Sequence, residues 1–233
     1  MSGTPQYWAV IPAAGVGSRM GSVVPKQYLP LTDRLVIEHT LSVFIDLPAI
    51  QGLIVALSPD DGWWHETAYA DHPRVHRVSG GRERCHSVLN ALDHLSHLAA
   101  PEDWVLVHDA ARPCVHQRDI ERLMAIDGRE CGGLLAHPIH DTVKRVDGGG
   151  RVDETLEREA LWRAFTPQMF RLQVLRAALG SALDRGVLVT DEASAMEISG
   201  FAPLLVAGSS DNIKITRSED IALAAFYLKT QGR

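Results

Sequence analysis

A glycine-rich stretch near the N-terminus carries two cationic side chains. It reads VIPAAGVGSRMGSVVPKQYLPL over residues 10–31, with Arg19 among the glycines and Lys26 directly after Pro25. Glycines lack a Cβ atom, so the backbone N–H groups of such a turn can approach a phosphate closely. Arg19 and Lys26 could neutralise charge on a transferring phosphoryl group and on its leaving group. The other interpretation is a flexible turn with solvated cations, and the loop alone favours neither.

Two common nucleotide-binding motifs are absent from this loop. No GxxxxGK[ST] pattern can be placed on it, which excludes a Walker A loop. Gly15 and Gly17 are followed by Ser18, Arg19 and Met20 where the dinucleotide fingerprint needs a third glycine. A phosphate site in this loop would therefore be one that brings its own cations.

Polar residues also follow two later strand-like runs. WVLVHDAARP places Asp109 at the end of an apolar run and Arg112 three residues later. A carboxylate there commonly holds a metal ion or a sugar hydroxyl, and the arginine could grip a phosphate. SGGRERCHSV adds a second glycine pair that leads into a helix containing Ser87. A helix-capping aspartate with an ion-paired arginine, and a capped helix start, remain the structural alternatives.

The composition limits the class of protein and its partners. The chain has 233 residues, 45% of them hydrophobic, which suits a globular α/β protein with a substantial core. Lys and Arg total 23 against 29 Asp and Glu, and the formal charge of -6 argues against a nucleic acid partner. Any site for a polyanion must therefore be local.

The cysteines and the apolar runs bear on where the protein works. Cys85, Cys114 and Cys131 are far apart and form no CxxC pair, which is typical of reduced thiols in a cytosol. No segment approaches the roughly 20 apolar residues of a membrane span, and the N-terminus lacks a secretory pattern. We expect a cytoplasmic protein without a membrane partner.

Short apolar runs alternate with stretches of helical period along most of the chain. This alternation predicts an α/β fold: a single Rossmann-like domain over residues 1–233, with a mostly parallel sheet flanked by helices. Ligands of such sheets bind beyond the carboxyl ends of the strands. The predicted strands are 7–12, 52–58, 74–79, 103–108, 132–139 and 202–208. The predicted helices are 35–46, 61–70, 83–98, 119–126, 173–185, 191–199 and 218–230.

The alternation is interrupted after residue 139. HDTVKRV and RVDETLE flank the turn DGGG at residues 147–150, which predicts a β-hairpin. Its faces carry too little apolar surface to be stable alone. We therefore expect a projecting β-arm at about 138–160 that packs on something.

Several motifs together resemble one enzyme family. PAAGVGSRM with PKQY, GGRERCHSV, VHDAARP, DTVKR, TPQMF, TDEASAME and DNIKIT occur in the order found in the 2-C-methyl-D-erythritol 4-phosphate cytidylyltransferases. The match spans nearly the whole chain. The resemblance implies a fold of the nucleotide-diphospho-sugar transferase type. It also implies an enzyme that transfers a cytidylyl group from CTP to methylerythritol phosphate, in the non-mevalonate route to isoprenoid precursors.

The resemblance also implies roles for individual residues. Arg19 and Lys26 match catalytic cations beside the triphosphate, and Arg158 and Lys214 match a catalytic pair that orients the acceptor phosphate. The positions that match the CTP site are Ala13, Ala14, Gly15, Gly17, Ser18, Gly81 and Ser87. The positions that match the methylerythritol phosphate site are Asp109, Arg112, Thr142, Thr166 and Thr190.

A divalent cation and a second subunit are further implications of the resemblance. Mg²⁺ would be bound mainly by the CTP phosphates, with Asp109 and Asp211 as candidate protein ligands. The arm would reach a second subunit, so that Thr142 and Arg112 or Arg158 complete the neighbouring site of a homodimer. A solvent-exposed hairpin on a monomer is the alternative.

Three other functions remain open from the sequence. The first is the same transfer to another polyol phosphate, such as ribitol 5-phosphate. The second is a regulatory nucleotide-binding protein without catalysis, which would require the loss of a key cation. The third is a Rossmann oxidoreductase, for which Asp60 is only a weak candidate for the acid that ends the second strand.

Overall fold

The computed structural model describes residues 5–15, 24–126, 128 and 130–233. Its strands are β1 (Tyr7–Pro12), β2 (Pro30–Leu31), β3 (Arg34–Leu35), β4 (Ile50–Leu57), β5 (Val75–Ser79), β6 (Trp104–Val107), β7 (Gly132–Pro138), β8 (Val143–Val146), β9 (Val152–Leu156), β10 (Trp162–Arg171) and β11 (Leu204–Ala207). Its α-helices are α1 (Val36–Ile45), α2 (Arg84–Leu95), α3 (Gln117–Met124), α4 (Leu172–Asp184), α5 (Glu192–Ile198) and α6 (Glu219–Thr230).

A central sheet organises the described part of the chain. It has seven strands in the order β11-β7-β10-β6-β1-β4-β5. β1 pairs in parallel with β4 and β6, and the pairs β4–β5 and β7–β11 are also parallel. Only β10, among these strands, runs antiparallel to its neighbours β6 and β7. The prediction of a mostly parallel α/β sheet is therefore confirmed.

Helices cover both faces of this sheet. Ile11 of β1 faces a core formed with α1 and α3, whereas Val10 faces one formed with α2, α4 and α5. Successive residues of a strand point to opposite faces, so a strand covered on both sides needs an unbroken apolar run. A third cluster joins α6 to the segment after β6 through Leu228 and Cys114. These three cores pack against the strands from which the loops of the site emerge.

Three strands were missed by the sequence analysis: the two-residue strands β2 and β3, and the long strand β10. β10 contains Pro167 in the middle of a ten-residue strand, joined to Thr166 by a cis peptide bond. Its register with β7 shifts between Ala164 and Gln168, on either side of this bond. Proline cannot donate to a sheet ladder, so a central strand through that residue was not expected. The irregularity places Thr166 beside the end of β6.

The helix predicted over residues 61–70 was wrong. The structure has a single 3-10 turn at Trp64–Glu66. The Asp61 carboxylate accepts hydrogen bonds from the backbone N of Trp63 and Trp64, at 3.1 and 2.9 Å. Thr67 then turns into an extended conformation, and its hydroxyl donates back to the backbone O of Trp64. The chain begins a helical turn within the predicted range but leaves it after one turn.

The expected hairpin is present as β8 and β9. The two strands form their own antiparallel sheet, with Val146 opposite Val152. Both valines are exposed, at 54% and 61% of their surface. Among the described helices, no segment is long and apolar enough to cross a membrane.

Candidate active site

A cavity of about 470 Å³ opens beyond the carboxyl ends of β1 and β6. Parallel strands end at the same edge of a sheet, so the loops that follow them meet there. Eight residues predicted for the site line this cavity: Ala13, Ala14, Gly15, Lys26, Gly81, Ser87, Asp109 and Lys214. Gly17, Ser18 and Arg19, which were also predicted for the site, lie outside the described residues.

The loop after β1 is held by a buried glutamine. The backbone N of Ala13 donates to the O of Ala56 at 2.8 Å, which extends the pairing of β1 with β4. Gln27, 3% exposed, donates from Nε2 to the O of Ala13 at 2.7 Å. Gln27 belongs to a 3-10 turn, Lys26–Tyr28, that begins after Pro25 and carries Lys26 into the cavity wall. The Lys26 ammonium donates to the backbone O of Ile215 at 3.0 Å.

The second glycine pair packs directly on the first loop. A Cβ atom on Gly80 would lie 2.3 Å from Cβ of Ala14 and 3.1 Å from Oγ of Ser87, so only glycine fits there. The backbone N of Gly81 donates to Oγ of Ser87 at 3.0 Å, and this hydroxyl donates to the O of Glu83 at 3.2 Å. The two loops predicted to bind CTP therefore form one surface.

Asp109 lies at the centre of a group of cations. Its Oδ1 is 2.9 Å from Nε of Arg84, and its Oδ2 is 2.8 Å from Nζ of Lys214 and 3.3 Å from Nε of Arg112. Burial alone would raise the pKa of Asp109. The charges of Arg84, Lys214 and Arg112 outweigh that effect and hold the pKa well below its usual value. Asp109 therefore stays ionised and holds three cationic side chains together at the cavity wall.

A buried histidine supports the backbone around Asp109. Nε2 of His108 is 3.1 Å from the backbone O of Arg112, and Nδ1 is 3.0 Å from Oγ1 of Thr166. A carbonyl can only accept, so Nε2 carries the proton and Nδ1 accepts from the threonine hydroxyl. The same hydroxyl accepts from the backbone N of Asp109 at 3.1 Å. Burial lowers the pKa of His108 to about 4, consistent with this neutral ring.

Arg112 and Thr166 lie behind the cavity wall rather than in it. Arg112 donates from Nη1 to the backbone O of Asn212 at 2.7 Å. Asn212, fully buried, donates from Nδ2 to the O of Thr166 at 2.8 Å. This network ties the segment that carries Lys214 to the segment after β6. Arg112 and Thr166, two of the residues predicted for the acceptor, thus contact Asp109 in the described structure.

Three other predicted residues lie away from the cavity lining. Thr142, Arg158 and Thr190 are exposed. Arg158, at the end of the arm, donates from Nη1 to the backbone O of His140 at 2.5 Å. None of these three positions lines the cavity described above.

The two candidate metal ligands are already engaged by other groups. Both oxygens of Asp109 contact cations. Oδ2 of Asp211 is 2.9 Å from Nε2 of His116 and accepts from Nε2 of Gln231 at 3.0 Å, and Asp211 does not line the cavity. No group of three or more His, Cys, Asp or Glu side chains among the described residues has metal-binding geometry. Oδ1 of Asp211 is buried without a hydrogen-bond partner in the described part of the chain, but Asp211 lies outside the cavity lining, so neither carboxylate is placed to bind Mg²⁺ in this cavity as arranged.

Sequence reasoning missed three residues that build this site. Gln27 anchors Ala13, and Arg84 joins Asp109 to Glu192. Arg84 and Glu192 lie within the motifs GGRERCHSV and TDEASAME, but they are separated by 108 positions along the chain. The only sign of Arg84 and Glu192 in the sequence was that each stands near the start of a predicted helix.

Comparisons with known proteins agree with this architecture. A family model described as IspD: 2-C-methyl-D-erythritol 4-phosphate cytidylyltransferase matches residues 7–230. A protein of that name from Pseudomonas fluorescens (strain Pf0-1) is 54% identical over 219 residues, 93% of each chain. One from Vibrio vulnificus (strain YJ016) is 51% identical over 224 residues, 96% of this chain and 94% of the relative. The crystal structure of the Francisella tularensis enzyme has a TM-score of 0.83 and 37% identity, over 96% of this chain and 100% of that one. The chain belongs to the 2-C-methyl-D-erythritol 4-phosphate cytidylyltransferase family.

Proposed function

We propose that this protein transfers the cytidylyl group of CTP to 2-C-methyl-D-erythritol 4-phosphate and releases pyrophosphate, in isoprenoid precursor synthesis. Family membership supports the reaction. The observation that carries it is a single cavity that combines the small residues Ala13, Ala14 and Gly15 with the ammonium-bearing side chains of Lys26 and Lys214. Such a cavity suits two anionic substrates that must be brought together.

The reaction forms one P–O bond and breaks another. An oxygen of the acceptor phosphate attacks the α-phosphorus of CTP, and the bond from that phosphorus to the oxygen bridging to the β-phosphate breaks. A phosphate monoester is already anionic near neutral pH, so no side chain has to act as general base. The protein's contribution is to align the two phosphates and to stabilise the transition-state charge.

The residues divide into a nucleotide half and an acceptor half. We assign CTP to the loop Ala13–Gly15 with Gly17 and Ser18, and to Gly81 and Ser87. Lys26 and Arg19 stabilise charge on the triphosphate. Lys214 orients the acceptor phosphate, and Asp109 binds a hydroxyl of the acceptor or holds Lys214. Arg112 and Thr166 support this half from behind, and we assign Thr190 to the acceptor as well, although it does not line the cavity.

We further propose that Mg²⁺ accompanies CTP through the phosphate oxygens, where it would offset their negative charge. Asp109 would have to release a cationic partner to reach such an ion, and Asp211 would have to leave His116. Neither carboxylate is therefore needed as a protein ligand in this proposal.

The arm suggests a homodimer. Val146 and Val152 expose apolar surface on a two-stranded hairpin, which is marginally stable unless it packs on something. We propose that the arm contacts a second subunit, where Thr142 and Arg158 would complete the partner's acceptor half. We also propose that the protein works in the cytoplasm, because Cys85, Cys114 and Cys131 are all free thiols.

The test is pyrophosphate release from CTP and Mg²⁺ with methylerythritol phosphate or ribitol 5-phosphate. We expect turnover with methylerythritol phosphate only. Lys26→Ala should lower kcat/KM at least about 100-fold, the typical effect of losing one preorganised charge-stabilising group. Lys229→Ala, at an exposed lysine of α6, is the matched control and should behave as wild type.

Each other outcome would change the assignment in a defined way. Turnover with ribitol 5-phosphate alone would keep the mechanism but change the acceptor. No turnover with either acceptor, while CTP still binds, would indicate a nucleotide-binding protein without catalysis. NAD binding in a fluorescence titration would instead favour the oxidoreductase interpretation.

A further inference from the structure

Four charged side chains form a continuous chain from the protein interior to the cavity. Both oxygens of Glu192 contact Arg84, with Oε1 2.7 Å from Nη1 and Oε2 3.1 Å from Nη2. The Nε–H group of the same guanidinium donates to Asp109, with Nε 2.9 Å from Oδ1. Oδ2 of Asp109 is then 2.8 Å from Nζ of Lys214. Glu192 and Lys214 are thus connected through two intermediate residues.

The exposed fractions show which end of this chain faces the cavity. The side chain of Glu192 is 1% exposed and that of Asp109 is 9% exposed, whereas that of Lys214 is 36% exposed. A carboxylate as deeply buried as Glu192 is costly unless it is paired and hydrogen-bonded. Burial lowers the pKa of Arg84, but the charges of Glu192 and Asp109 outweigh this and raise the pKa above its usual value.

The geometry of the guanidinium explains why Glu192 is needed. An arginine tends to bind a carboxylate with two parallel N–H groups. Glu192 occupies Nη1 and Nη2, so Arg84 presents only Nε to Asp109. Oδ2 of Asp109 is thereby left for Lys214. Without Glu192, Arg84 could take both oxygens of Asp109 and displace the Lys214 ammonium.

The charges of the group lead to the same conclusion. With Arg112, which also contacts Asp109, the group has three cations and two carboxylates, and so carries one net positive charge. The most exposed cation is Lys214, so this excess charge faces the cavity. Removing Glu192 would add a second uncompensated charge behind Asp109, where it repels Lys214.

We propose that Glu192 is a positioning residue for cytidylyl transfer, acting through Arg84 and Asp109 to hold the Lys214 ammonium against the acceptor phosphate. This inference rests on the function proposed above. Glu192 itself touches neither substrate: it does not line the cavity. Its effect on the reaction must be transmitted by Arg84, Asp109 and Lys214, which do line the cavity, and we assign it to the lysine.

The test is a double-mutant cycle between Glu192→Gln and Lys214→Ala, with initial rates measured against both substrates. In the wild-type background, Glu192→Gln should lower kcat/KM for methylerythritol phosphate about 100-fold, as expected for a catalytic group displaced by about 1 Å. KM for CTP should change less than KM for methylerythritol phosphate, because Lys214 is assigned to the acceptor. Of this chain of contacts, only Arg84 lies between the nucleotide residues Gly81 and Ser87. In the Lys214→Ala background, Glu192→Gln should change kcat/KM for methylerythritol phosphate less than about 3-fold.

Glu197→Gln is the matched control, because Glu197 lies on the same helix and is exposed. It should behave as wild type. If Glu192→Gln lowers kcat/KM equally in both backgrounds, or in neither, the proposal is overturned while the proposed function stands. An inactive wild-type protein would overturn the function and this inference with it.

A purely structural role would explain a loss of folding in Glu192→Gln equally well, so Glu192→Asp is the second variant. It keeps the charge and withdraws the carboxylate by one methylene. We expect it to fold and to show the same non-additivity with Lys214→Ala. A Glu192→Asp chain that also fails to fold would assign Glu192 to folding alone and reject the positioning role.

Discussion

The buried His108 should make the free energy of unfolding depend on pH. In the unfolded chain the ring takes up a proton near pH 6.5, whereas burial lowers the pKa to about 4 in the folded protein. Between these values the unfolded state binds more protons, so folded-state stability is lost as the pH falls from 6.5 towards 4. Below about 4 the contribution of His108 becomes constant.

The size of this effect follows from the difference in pKa. Each pH unit corresponds to about 1.4 kcal/mol for one proton, so the interval from 6.5 to about 4 corresponds to about 3 kcal/mol. Asp109 stays ionised across this interval, because Arg84, Lys214 and Arg112 outweigh its burial and hold its pKa below its usual value. His39 contributes a slope of the same sign, because burial lowers its pKa too.

The assay is urea unfolding of wild type and His108→Gln, at several pH values from 7 down to about 4 and at constant ionic strength. The variant should lose about 1–3 kcal/mol at pH 7 through its broken hydrogen bonds. Its stability should then fall by about 3 kcal/mol less than that of wild type across the interval. His65→Gln, at an exposed histidine, is the control and should keep the wild-type slope. Identical slopes in wild type and His108→Gln would refute the neutral, hydrogen-bonded histidine.

Two further predictions concern the packed glycine and the arm. Gly80→Ala should lower the free energy of unfolding, measured by urea titration, by about 2 kcal/mol or more, because its Cβ would overlap Ala14. Gly62→Ala is the control: a Cβ there has nothing within 4 Å, so the free energy of unfolding should change by less than about 0.5 kcal/mol. Equal effects would argue against the close contact of the two loops. Changing Val146 and Val152 together to Asp should convert a dimer to monomers in sedimentation velocity, with an unchanged circular dichroism spectrum. A dimer that persists would place the subunit contact elsewhere.

Much of the fold could be predicted because its strands are buried on both faces. Runs such as WAVIP and WVLV have no polar face, and the amphipathic stretches between them identify the crossover helices. The parallel arrangement then brings the loops after β1 and β6 together without further information. That is why the glycine loop, Gly81 and Asp109 could be expected in one place.

The missing parts depend on contacts that a single sequence does not contain. Pro167 argues against a strand, yet β10 passes through it because Thr166 and Gln168 make side-chain hydrogen bonds where the ladder is interrupted. The pairing of Arg84 with Glu192 needs two helix starts, distant in sequence, to face each other. Periodicity identifies each helix but does not give the direction of its first side chain.

The irregular antiparallel strand has a mechanical consequence. β7 leads into the arm and β10 returns from it, and the two strands are paired at their arm ends, with Trp162 opposite Pro138. Thr166, four residues further along β10, hydrogen-bonds His108 and the backbone of Asp109. The arm is thus connected through a single strand to the backbone that carries Asp109, whereas the loop after β1 lies beyond β6 in the sheet. A change in the position of the arm would act on Asp109 through Thr166.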